Sequence, residues 1–86
     1  MGLTRHLAGE LGEFGITANA LAPDRIETPL LKTVSAAANE AVVAETPVRR
    51  LGQPWEVADA ACYLTAPESG FITGQVLDVA GGWLMR

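Results

Sequence analysis

Eighty-six residues, 49% of them hydrophobic, are too few for two separate cores and too apolar for a disordered chain. Six Lys and Arg stand against ten Asp and Glu, and a net charge of −4 argues against nucleic-acid or anionic-membrane partners, which need basic patches. One cysteine, Cys62, rules out an internal disulfide, and one histidine, His6, leaves no ligand set for zinc.

In chain order, "MGLTRHLAGELGE" places Leu3, Leu7, Leu11 and then Phe14 on one helical stripe, with Gly12 and Gly15 as stop signals. The spacing predicts a surface helix packed on something apolar, and Gly9 inside it predicts a close neighbour. No apolar run approaches the about 18 residues of a spanning helix, and the first residues lack the blocks of a secretory leader. The expectation is a cytoplasmic chain.

"GITANALA" then predicts a strand from Gly15 to Pro23, small or apolar on both alternating sets, as in a parallel sheet covered on both faces. Asn19 is the polar exception, and its expected role is to tie down a neighbouring loop. After Pro23 a lone Ile26 stands between Arg25 and Glu27. Thr28 suits a helix N-cap and Pro29 a first helical turn, with "LLKTVSAAANEAVVAE" forming one or two short helices before Thr46-Pro47.

"PVRRLGQP" reads as a loop. The next helix starts at Pro54, with Glu56 at the positive end of its dipole. Val57, Ala61 and Leu64 form its expected buried stripe, with Ala58 and Cys62 beside it; Cys62 reads as a small core residue and Tyr63 as a core or interface residue. "FITGQVLDVAGG" predicts a strand from Gln75 to Val79, ended by Gly81-Gly82. Two strands joined by a long helical crossover should lie parallel. Two is fewer than the about four to six strands of an ordinary sheet, so residues 1–86 look like one end of a larger fold, without separate domains.

This order, and the stretches "GLTRHLAGELGEFGITANALAP", "IETP", "RLGQPWEVADAACYLTAPES" and "FITGQVLDVAGG", resemble the short-chain dehydrogenase/reductase family. The nearest group is the 3-oxoacyl-carrier-protein reductases, with related alcohol, sugar and steroid dehydrogenases. The resemblance implies an α/β fold, the C-terminal part of a doubly wound, Rossmann-like parallel sheet in the order helix-strand-helices-strand, and incomplete.

In that family the loop after the sixth strand carries Pro-Gly-x-Ile-x-Thr facing the nicotinamide ring, and Pro23, Ile26 and Thr28 fall on its positions. The resemblance implies that Ile26 meets the carboxamide through its backbone. It implies that Thr28 offers its hydroxyl to the carboxamide or the pyrophosphate, alongside its reading as a helix cap. Asp24 stands where Gly is expected; Asp tolerates a left-handed backbone, so the turn is expected to survive with a carboxylate added near an anionic cofactor.

The family's Gly-rich phosphate loop, catalytic Ser and Tyr-x-x-x-Lys do not occur in these 86 residues, and Tyr63 with Pro67 does not match the last of them. The Tyr-x-x-x-Lys lies just ahead of the "GLTR" stretch in the family, so no residue here inherits a catalytic role. The implied function is that of a C-terminal fragment of an NAD- or NADP-dependent oxidoreductase, inactive alone. It would move a hydride between nicotinamide and a carbonyl or alcohol substrate. The fragment would supply the nicotinamide-side loop, part of a lid over residues 29–46, and homo-oligomer contacts through the first helix, the helix at 54–66 and the last strand, with Trp55, Trp83, Leu84 and Met85. The alternatives are a non-catalytic fragment that associates with a complementary or full-length relative, and a truncated product with no function of its own.

Overall fold

The computed structural model describes residues 2–29 and 35–83. Helix α1 (Gly2–Leu11) runs into a 3-10 turn at Gly12–Phe14. Gly15 ends it at φ 74, donating its N–H to the Gly12 carbonyl, a left-handed stop that a residue with a Cβ takes only at a cost. The apolar stripe forms as expected, but Leu3 is 72% and Phe14 69% exposed, so this chain does not itself cover it. None of the described residues lies within 4 Å of where a Cβ at Gly9 would sit, so among them the close neighbour predicted for that glycine is not found.

Strand β1 (Ala20–Pro23) and strand β2 (Val76–Val79) form a parallel two-stranded sheet, with Ala20 opposite Val76 and Pro23 opposite Val79. The first strand begins at Ala20 rather than Gly15. Before that point side chains reinforce a backbone bond from the Gly74 N–H to the Ala18 carbonyl at 2.8 Å. Thr73 Oγ1 accepts from the Ala18 N–H at 3.0 Å. The Asn19 amide donates to the Ile72 carbonyl at 3.1 Å and accepts from the Gln75 N–H at 3.0 Å. Asn19 therefore ties down the segment before β2, the role expected of it.

The helix that Thr28-Pro29 would open falls on residues 30–34, outside the described residues. Helix α2 (Ala36–Glu45) has its own cap, Ser35, whose Oγ accepts from the Ala38 N–H at 3.2 Å. Helix α3 (Pro54–Thr65) starts where Pro54 and Glu56 predict: Pro54 lacks the N–H that would go unpaired in a first turn, and the Glu56 carboxylate accepts from the Gln53 N–H at 3.0 Å.

Helix α3 packs on both strands, with Leu64 buried and Val57 and Ala61 half-buried. Cys62 and Ala58 are exposed, which corrects the core reading of Cys62. Two residues from Leu64 is more than half a turn of helix, so Cys62 points away from the sheet. Tyr63 is 61% exposed and lies outside the core. Among the described residues the buried apolar side chains are Leu64 and Ala80, joined by Thr46 and Ser69. The radius of gyration is 15.6 Å, against about 12 Å for a compact domain of this length, so the chain is elongated.

Candidate functional site

The loop that leaves the carboxyl end of β1 is held from both sides. The Asp24 N–H continues the ladder onto the Val79 carbonyl at 3.1 Å, and its Oδ1 accepts from the Arg25 N–H at 2.7 Å. The left-handed residue is Arg25, at φ 60, and not Asp24. This corrects the expectation for Asp24: its carboxylate braces the turn from the preceding position while the next residue takes the unusual backbone.

Ile26 then forms an isolated parallel bridge with Gly52. Gly52 donates to the Arg25 carbonyl at 2.8 Å and accepts from the Glu27 N–H at 2.7 Å. Because both bonds flank Ile26, its own N–H and C=O point away from Gly52. None of the described residues bonds to either group. The side chain packs the other way: a Cβ at Gly52 would come within 2.7 Å of Ile26 Cδ1. The lone isoleucine is an anchor, and a backbone donor and acceptor are what it leaves unpaired among the described residues. A primary carboxamide, with one carbonyl and two N–H donors, is their complement.

Side chains reinforce the bridge. Gln53 Nε2 donates to Glu27 Oε2 at 2.8 Å. Arg50 donates to both Glu56 oxygens at 2.6 and 2.9 Å, a forked pair that orients the start of α3. The Arg50 guanidinium, and after it the Gln53 N–H, hold the Glu56 carboxyl down at about 2, and the same contact with Glu56 raises Arg50.

Of the three residues predicted for the site, Ile26 and Thr28 line one cleft, facing Asn39 and Val42 of α2 and Leu51. Pro23 does not line it; it ends β1 opposite Val79, exposed. Sequence reasoning missed Gly52 and Arg25. The glycine in "RLGQP" was the available signal for the first. Nothing local marks the second, because its contacts are with Glu45 at 3.6 Å and the Trp83 ring at 4.0 Å. The expected lid, residues 29–46, is described at Pro29 and from Ser35 onward; Leu84 and Met85 lie outside the described residues. Among the described residues no group of three or more His, Cys, Asp or Glu could hold a metal ion, and no helix is long and apolar enough to cross a membrane.

Residues 1–84 match the family model described as enoyl-(acyl carrier protein) reductase. The chain is 40% identical over 85 residues to the 3-oxoacyl-[acyl-carrier-protein] reductase of Vibrio cholerae, covering 99% of this chain and 35% of that protein. It is 42% identical over 81 residues to the 7alpha-hydroxysteroid dehydrogenase of Escherichia coli, covering 93% and 32%. A solved structure of 3-oxoacyl-[acyl-carrier protein] reductase from Brucella melitensis superposes with a TM-score of 0.92 at 53% identity, covering 98% of this chain and 32% of that one. A second from the same organism, with bound NAD, gives 0.85 at 52%, covering 98% and 30%. The chain spans about a third of the length of these relatives.

Proposed function

The chain belongs to the short-chain dehydrogenase/reductase family, and we propose that it is the C-terminal portion of an NAD- or NADP-dependent oxidoreductase. The observation that carries this reading is the Ile26 backbone, whose N–H and C=O have no partner among the described residues and lie beyond the carboxyl ends of two parallel strands. Open α/β sheets bind their ligands at that edge. Ile26 would hold the nicotinamide carboxamide by those two groups, Thr28 would offer its hydroxyl from the same cleft, and Pro23 would stiffen the exit from β1. When bound, the nicotinamide supplies or accepts the hydride exchanged with a carbonyl or alcohol carbon. This chain's own part is to orient: Gly52 fixes the direction of the Ile26 backbone, and the Gln53–Glu27 bond keeps the adjacent residue from turning.

In this reading β1 and β2 are one margin of a doubly wound sheet, and the exposed stripe of α1 packs against the remainder of the enzyme or another subunit. The intact enzyme is a cytoplasmic homo-oligomer. The same exposed stripe, with Leu3 72% exposed, also favours a second reading, a non-catalytic fragment that docks onto a relative.

A fusion separates the two. The chain replaces the matching third of the Brucella melitensis reductase, and oxidation of NADH and NADPH is followed with a 3-oxoacyl thioester. The expected result is turnover by the fusion and none by the 86-residue chain alone. A fusion that unfolds cooperatively yet neither binds nor oxidises either nucleotide would overturn the proposal.

A further inference from the structure

Arg25 departs from ordinary preference in three ways. Its backbone is left-handed although it carries a Cβ. Its charged side chain is 11% exposed. Its Nε is buried with no hydrogen-bond partner among the described residues. Each of these is unfavourable, and such residues persist where their surroundings over-determine them.

The surroundings here are three separate segments. The Arg25 carbonyl takes the Gly52 N–H at 2.8 Å. The guanidinium reaches Glu45, the last residue of α2, at 3.6 Å, and lies over the Trp83 ring beyond β2 at 4.0 Å. Stacking of this kind suits the flat, weakly hydrated guanidinium better than an ammonium. Glu45 is 67% exposed, so its pairing with Arg25 is screened and the ring is the firmer contact. One residue thus joins the loop at Gly52, which pairs with Ile26, to the end of α2 and the segment after β2.

We infer that Arg25 is a positioning residue: its side chain, clamped on Trp83 and Glu45, fixes the bridge through which Ile26 presents its N–H and C=O. The geometric part stands without any cofactor; its use in cofactor binding rests on the function proposed above.

Amide hydrogen exchange in the 86-residue chain tests the geometry alone. Arg25→Gly suits the left-handed backbone while removing the side chain, and Trp83→Ala removes the ring. Both are expected to speed exchange at the Glu27 and Gly52 N–H groups by about tenfold or more, with the Asp24 N–H, bonded to Val79, unchanged. Trp83→Phe should restore most of the protection. Unchanged exchange at both amides, or an equal acceleration that includes Asp24, would overturn the inference.

In the fusion, Arg25→Gly is expected to raise KM for NADH or NADPH severalfold with kcat altered less than about twofold. A fall in kcat with KM unchanged would count against it. Should the fusion prove inactive, the proposed function fails while the exchange result still decides the role of Arg25.

Discussion

At Gly81 a single methyl group would meet two side chains on a left-handed backbone. Its φ is +61, and an added Cβ would meet Thr46 Cγ2 at 2.7 Å and Val48 Cγ2 at 2.9 Å. Thr46 cannot retreat, being 1% exposed and bonded through Oγ1 to the Val42 carbonyl at 2.7 Å. Gly81→Ala is expected to destabilise the fold by about 1–3 kcal/mol, read from the urea midpoint. Glu56 gives a prediction in pH. Its carboxyl sits at about 2 instead of the ordinary 4.5, so the charged form is favoured by folding. That contribution is complete above pH 4.5 and is lost as the pH falls through about 2. Urea midpoints measured from pH 6 downward should drop over that window, and Glu56→Gln should remove this part of the decline.

Among the elements, the pairing of β1 with β2 depends on one amide. Asn19 supplies a donor and an acceptor to the segment before β2, and its two bonds flank the backbone bond from the Gly74 N–H to the Ala18 carbonyl. Asn19→Ala should cost about 1–3 kcal/mol by leaving the Ile72 carbonyl and Gln75 N–H without their partner. Asn19→Asp keeps the acceptor but sets a second oxygen against the Ile72 carbonyl, so it should be no milder than Asn19→Ala, which thermal unfolding of the fusion would resolve. This amide was legible because a polar residue in an apolar strand must be satisfied somewhere. Helix α3 was legible for local reasons too: Pro54 and Glu56 carry their meaning within one turn. The late start of β1 was not, since it depends on Thr73, far along the chain. The exposure of Cys62 was legible in helical spacing, which sets it more than half a turn from Leu64, although its small apolar character suggested the core. At the site, the chain position of Ile26 was readable from its motif, but the direction of its backbone is set by Gly52 and Arg25 through distant contacts.

For the molecule as a whole, open apolar surface governs behaviour. Leu3, Phe14, Trp55, Tyr63 and Phe71 are each more than half exposed, with Phe71 at 102%. Sedimentation of the 86-residue chain should therefore show association that grows with concentration, and Leu3→Glu with Phe14→Glu should weaken it. A monomer unaffected by concentration would contradict this. The parallel ladder has a further consequence, one of timing. Asn19 and Gln75 stand 56 residues apart, so more than half of the chain separates the two strands. On a ribosome adding about 5–20 residues each second, β1 would wait about 3–11 s for the strand it pairs with. During that interval its backbone donors and acceptors have no mate from this chain, and a chaperone would find its opening there.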